Sequence, residues 1–100
     1  MNDAASTTER DPRLEPLEAP VGKWDLGDPS APAGTVSFDW LEGGRFLIER
    51  WTVDIMGAPD GIAILGLDAD GLVQHYFDER GVARLYRMSV EDGVWKRRTS

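Results

Sequence analysis

The densest group of chemically versatile side chains lies in one short stretch, QHYFDERGVARLY, at residues 74–86. It holds the single histidine of the chain, His75, together with Arg84 and Tyr86. An imidazole changes protonation near neutral pH and can transfer a proton, while an arginine and a tyrosine can polarise a substrate. The alternative is an interior histidine that is bonded to a neighbour or to water. The residue types therefore leave both a site and a purely structural hairpin open.

Acidic residues cluster in the two stretches DADG (68–71) and DERG (78–81). Asp and Glu are ordinary turn residues that bond the local backbone, and DADG lacks the further ligands of a calcium loop. These carboxylates are therefore interpreted as turn residues, and no metal is expected.

The arginines offer a second kind of chemistry. Arg50, Arg84 and Arg87 suit a clamp for a ligand carboxylate, because a guanidinium presents a planar fork of donors. The alternative is cross-strand pairing with acidic side chains, for which the candidates are Asp39, Glu49 and Glu79. The basic run 96–98 is interpreted as a solvated tail.

Glycine-containing turns divide the chain after residue 22 into short β-strands. We predict strands near 22–26, 34–41, 45–54, 62–68, 72–78, 82–89 and 93–98, with all six prolines outside them. Leu14, Leu17 and Val21 predict a short helical turn before the first strand. Residues 1–13 are expected to be a disordered tail, and residues 14–100 a single all-β domain. The turn spacing of the later strands is typical of an antiparallel meander.

The register of the hairpin at 72–89 decides what the histidine faces. If DERG closes with an even-numbered loop, His75 lies opposite Arg84 and Phe77 lies opposite Val82. The face that carries these residues is the more apolar of the two, so it is placed inside. An odd loop would shift the pairing by one residue and separate His75 from Arg84. Across DADG, Ile64 is expected beside His75.

The remaining strands are less decisive about their inner faces. Phe38 and Trp40 share one face of their strand, whereas the next strand places a charge on either face, Glu49 on one and Arg50 on the other. Gly66, alone inside a strand, marks a bulge or a close approach. The four tryptophans are interpreted as core, with Trp24 alternatively a stacking platform for an arginine.

Several stretches resemble a known family. LEPLEAPVGKW resembles the N-terminal approach to a lipocalin barrel, with Gly22 and Trp24 in a Gly-x-Trp motif. The ordered segments GTVSFDWLEGGRFLIERWTVD, DGIAILGLDADG and QHYFDERGVARLYRMS are similar to a group of bacterial lipocalin-like (calycin-type) β-barrel proteins. The similarity covers roughly residues 14–95. It implies a small antiparallel barrel but no established activity and no catalytic residues.

The fold class expected is therefore all-β: an antiparallel meander forming a lipocalin-like (calycin-type) barrel, incomplete at about seven strands. Such barrels normally continue for several more strands, and seven do not easily close. Either the chain is a shortened family member, or a second copy completes the sheet as a homodimer through an open edge.

The composition excludes several partners. A net charge of −7 argues against nucleic-acid and anionic-membrane surfaces, and the absence of cysteine removes disulfides and thiolate metal sites. No apolar stretch suits a signal peptide or a spanning helix, so a cytoplasmic location is expected. Haem held by His75 would need more polar contacts than these, and no cofactor is expected.

The favoured hypothesis is a binding protein for a small apolar or amphipathic molecule in an aromatic-lined interior. The residues predicted to line it are Phe38, Trp40, Arg50, Ile64, His75, Phe77, Arg84 and Tyr86. The alternatives are an interaction protein that dimerises through its sheet edge and an enzyme that uses His75 as acid–base.

Overall fold

The computed structural model describes residues 11–99, so most of the predicted tail at 1–13 lies outside the described residues. A 3-10 helix at Pro12–Leu17 comes first and confirms the predicted turn. Seven strands follow: β1 Gly22–Asp28, β2 Ala31–Trp40, β3 Leu47–Val53, β4 Gly61–Asp68, β5 Gly71–Asp78, β6 Ala83–Glu91 and β7 Val94–Thr99. The part of the chain that the structure describes holds no helix long and apolar enough to span a bilayer.

The strands form one antiparallel sheet in the order of the sequence, β1 to β7. This confirms the all-β meander and all seven predicted strands, with boundaries that differ by at most three residues. The prediction that all prolines avoid strands is wrong at Pro32, because β2 begins at Ala31. Pro32 pairs with Gly27 at a register irregularity of β1, where the ladder is already interrupted.

The sheet curls into a half-barrel whose two ends approach each other across the interior. The ring of Phe38 on β2 meets the ring of Trp95 on β7 edge-on, with centroids 6.0 Å apart, although four strands lie between β2 and β7 in the sheet order. Strands β1 and β7 are not paired with each other within residues 11–99. The barrel is therefore incomplete, as the sequence predicted.

The core fills one end of the concave face. Leu14 and Leu17 of the 3-10 helix are buried against Leu47, Ala63 and Leu65 of the two central strands. Each fully buried leucine contributes about 1.5–3 kcal/mol by leaving water. The helix therefore acts as a plug that covers this end of the sheet.

Two cross-strand rows identify the side chains of the concave face. One row runs from Leu47 through Leu65 and Gln74 to Tyr86, and its first three members are buried. The neighbouring row contains Glu49, Ala63, Tyr76 and Arg84. Side chains alternate along a strand, so residues in between face the convex side.

The predicted register of the β5–β6 hairpin is wrong by one residue. His75 lies opposite Leu85 rather than Arg84, and Arg84 lies opposite Tyr76. The loop has three residues, because the Asp78 N–H donates to the Val82 carbonyl and Gly81 ends the loop at a φ of 86°. A glycine in this left-handed conformation is typical of three-residue hairpin loops.

Gly66 marks a close approach of the Phe46 ring to the backbone of β4, and not a bulge. The β4–β5 register runs without a break and places Ile64 opposite His75, as predicted. A Cβ at Gly66 would lie 2.5 Å from the ring of Phe46, which therefore packs directly on the glycine.

Candidate functional site

The structure divides the eight predicted ligand residues equally between the two faces of the sheet. The register places Phe38, Trp40, Arg84 and Tyr86 on the concave face, and Arg50, Ile64, His75 and Phe77 on the convex face. The eight residues therefore do not form one pocket. Their division follows from the three-residue loop, since a one-residue slip turns every β5 side chain to the other face.

His75 lies exposed on the convex face, between Ile64 and Leu85. Arg84 is also exposed, and its Nη1 donates to the carbonyl of Ala83 at 3.2 Å. The prediction that the two side chains meet inside the barrel is wrong. An acid–base role for His75 therefore loses its geometric basis.

The interpretation of DADG and DERG as turns is confirmed. The carboxylate of Asp68 accepts from the backbone N–H of Asp70, and that of Asp78 accepts from the N–H of Arg80. Arg87 pairs with Asp68 at 2.6 Å, which is not one of the predicted acidic partners. A hydrogen bond from the Arg87 side chain lowers the pKa of Asp68 to about 2.

A chain of three polar side chains crosses the concave face beyond the core. The Gln74 amide donates from Nε2 to Oε1 of Glu49 at 3.3 Å. Its carbonyl oxygen accepts from Nη1 of Arg97 at 2.9 Å. These residues border a depression of about 330 Å³, here named the concave site, which is lined by Glu49, Trp51, Val53, Ala58, Pro59, Gln74, Tyr76 and Arg97.

Aromatic rings form the walls of the concave site. Trp51 stacks on Tyr76 with a centroid distance of 5.4 Å, and Tyr76 meets Tyr86 edge-on at 6.2 Å. The indole N–H of Trp51 donates to the carbonyl of Pro59, and the Tyr76 hydroxyl donates to Asp78. Because the indole N–H of Trp51 and the hydroxyl of Tyr76 already have partners, these two residues present ring surfaces to a ligand.

Glu49 is the most unusual group of the concave site. Burial raises the pKa of its carboxyl above the ordinary value, while the charge of Arg97 and the hydrogen bond from Gln74 oppose this rise. A protonated Glu49 would add a donor to the site, and an ionised one an acceptor. The site can therefore present both a cation and a titratable carboxyl to one bound molecule.

We expect Glu49→Gln to raise the midpoint of thermal unfolding by a few degrees at pH 7. The pKa of Glu49 is higher in the folded state, so its protonation favours folding, and this contribution is lost as pH rises through the folded-state pKa. A neutral glutamine avoids that loss and can still accept from Gln74. Melting curves at several pH values measure the effect, and the gain should disappear below pH ~4, where an unperturbed Glu also protonates. Glu42→Gln, which removes the same charge from an exposed turn, is the control; an equal gain there would contradict the expectation.

A second depression, of about 430 Å³, lies next to three of the convex-face residues. Arg50, Ile62 and Phe77 line it together with Asp60 and others. The Asp60 carboxylate accepts from the backbone N–H of Val53 at 2.7 Å, and its own N–H donates to Glu79. The carboxylates of Asp60 and Glu79 are thus already bonded to backbone N–H groups and hold the loop before β4 in place. The concave site is therefore the better candidate for ligand binding.

Five polar or aromatic members of the concave site were not predicted from sequence as ligand residues: Glu49, Trp51, Gln74, Tyr76 and Arg97. Alternation supplied part of the signal, because Leu47, Glu49 and Trp51 fall on one face of β3. For Arg97 the usable signal is its alternation with Trp95 on β7. Residues 96–98 are exposed, as predicted, but they belong to β7 and not to a tail. The guanidinium of Arg97 lies 4.4 Å from the centre of the Tyr86 ring, a contact that was not predicted.

Among residues 11–99, no group of three or more His, Cys, Asp or Glu side chains lies close enough to hold a metal ion. Comparison of the chain with protein-family models, with curated proteins and with solved structures finds no match. The resemblance to lipocalin-like proteins therefore stays a prediction, and the function is inferred from the geometry of the concave site.

Proposed function

We propose that this chain binds a small amphipathic molecule at the concave site. The observation that carries the proposal is Glu49, a half-buried carboxyl on the inner face of the sheet, bonded to an uncharged amide. Burying a carboxyl without a direct ion pair lowers stability. Groups with burial-perturbed pKa values cluster at functional sites, where binding or catalysis offsets that loss.

The dimensions and lining of the concave site favour a small molecule. Its volume of about 330 Å³ is at the lower end of the range for ligand pockets, which begins near 300 Å³. Ring surfaces on one side and the Glu49–Gln74–Arg97 chain on the other match a molecule with an apolar body and one polar end. The proposal also agrees with the lipocalin-like resemblance of the sequence.

Titration with the uncharged fluorescent probe phenylnaphthylamine tests the proposal. We expect saturable fluorescence enhancement with the folded chain, and unchanged affinity in His75→Gln, because His75 lies on the convex face. Circular dichroism establishes that both proteins are folded. An absence of enhancement with a folded chain would overturn the proposal.

A second candidate rests on the two ends of the sheet. Within the described residues β1 and β7 each have one unpaired edge, and unpaired edges tend to pair with another chain. Completion of the sheet by a second copy would make an interaction protein. Light scattering separates the candidates, since a monomer that binds the probe fits only the first.

A further inference from the structure

Arg97 is held in place on two sides. Gln74 accepts a hydrogen bond from Nη1, and the guanidinium lies over the ring of Tyr86 at 4.4 Å from its centre. Gln74 is itself buried and fixed by its bond to Glu49. The cation is therefore positioned by neutral groups before any ligand arrives, which reduces the entropy lost on binding.

Most donors of this guanidinium have no partner in the part of the chain that the structure describes. A guanidinium carries five N–H groups, and the hydrogen bond to Gln74 uses one of them. Arg80 and Arg87, by contrast, each pair with a carboxylate, at 2.7 Å and 2.6 Å. Glu49 acts on Arg97 through its charge but hydrogen-bonds Gln74 instead.

We propose that the ligand of the concave site ends in a single anionic group, a carboxylate or sulfonate, which Arg97 binds while the ligand's apolar body lies against Trp51 and Tyr76. This inference rests on the proposed function. The remaining donors of the planar fork match two oxygens of one anion, and such charge-assisted bonds are about twice as strong as neutral ones. The indole N–H of Trp51 and the hydroxyl of Tyr76 already have partners, so these two residues offer only ring surfaces to the rest of the ligand, which is therefore apolar.

A pair of probes that differ in one anionic group tests the inference. Anilinonaphthalene sulfonate carries a sulfonate, and phenylnaphthylamine is its uncharged counterpart. The readout is the ratio of their two affinities, so a general loss of pocket shape cancels. We expect Arg97→Met to lower the sulfonate-to-neutral ratio by about tenfold, the scale of one charge-assisted hydrogen bond. Arg97→Lys should lower it less, because it keeps the charge but not the planar fork.

Arg98→Met is the matched control. It removes the same charge one residue away, and Arg98 lies opposite Arg87 on the other face of the sheet. The sulfonate-to-neutral affinity ratio of Arg98→Met should equal that of the unchanged chain. Glu49→Gln should raise the ratio, because it removes a negative charge beside the bound anion.

The outcomes separate this inference from the proposed function. If phenylnaphthylamine does not bind, the proposed function fails and the inference fails with it. If it binds but Arg97→Met and Arg98→Met give the same ratio, the inference alone is overturned. A tenfold fall confined to Arg97→Met supports it.

Discussion

Leu65→Ala is expected to lower the free energy of unfolding by about 2–5 kcal/mol, the usual range for a fully buried leucine. Leu65 is 0% exposed and lies on the concave face, between Leu47 and Gln74 in the register. The 3-10 helix covers this part of the sheet, so its leucines cannot easily move to fill the cavity. In a chain of this size the loss corresponds to roughly 10 °C or more in Tm.

Leu85→Ala is the control for this prediction. This substitution removes the same group from the convex face, where the side chain of Leu85 is 38% exposed. We expect a loss of about 1 kcal/mol or less. Urea or thermal unfolding followed by circular dichroism measures both variants. Equal losses would contradict the assignment of the concave and convex faces, on which the concave site depends.

Strand positions could be predicted because each turn has a recognisable local sequence. Glycines and acidic residues at DADG (68–71), DERG (78–81) and EDG (91–93) interrupt apolar runs, and the structure places a hairpin loop at each. Asp92 and Gly93 both have positive φ, as a two-residue hairpin turn of type I′ requires. The all-β fold therefore follows from chemistry that acts over a few residues.

The register of β5 against β6 could not be fixed in the same way. The sequence Asp-Glu-Arg-Gly is compatible both with a loop of three residues and with a loop of even length. Only the conformation of Gly81 distinguishes the two loops. Amphipathicity gave the wrong inner face for β5, because Phe77 is apolar and yet lies 42% exposed on the convex face. A one-residue difference in the loop thus moved His75 out of the predicted pocket and Gln74 into the interior.

The concave site depends on long-range geometry to a greater degree than the strands do. Gln74 and Arg97 are 23 residues apart and lie on strands separated by β6, so Arg97 must pass over Tyr86 to reach the amide. That contact requires the correct β5–β6 register, the correct β6–β7 register and the curl of the sheet at once. The position of Glu49 could be predicted from less information, because its alternation with Leu47 and Trp51 already placed it on a mainly apolar face.

Trp51→Leu is expected to weaken phenylnaphthylamine binding at the concave site by about tenfold or more, which is about 1.4 kcal/mol. The indole supplies a flat wall stacked on Tyr76, and its N–H anchors the Pro59 carbonyl of the loop beside the site. Leucine keeps apolar contact with the core but provides neither the flat surface nor the anchor. Fluorescence titration measures the affinity, and circular dichroism verifies that the variant is folded.

Phe77→Leu is the control that locates the probe. Trp51 also borders the depression on the convex side, so its replacement alone would not distinguish the two places. Phe77 lines that depression and not the concave site, and the same kind of aromatic-to-leucine change there should leave the affinity within about twofold, because an exposed ring outside the site contributes little. A large loss in Phe77→Leu with little change in Trp51→Leu would move binding to the convex face. Only the opposite pattern is compatible with a ligand held between Trp51 and the Glu49–Gln74–Arg97 chain.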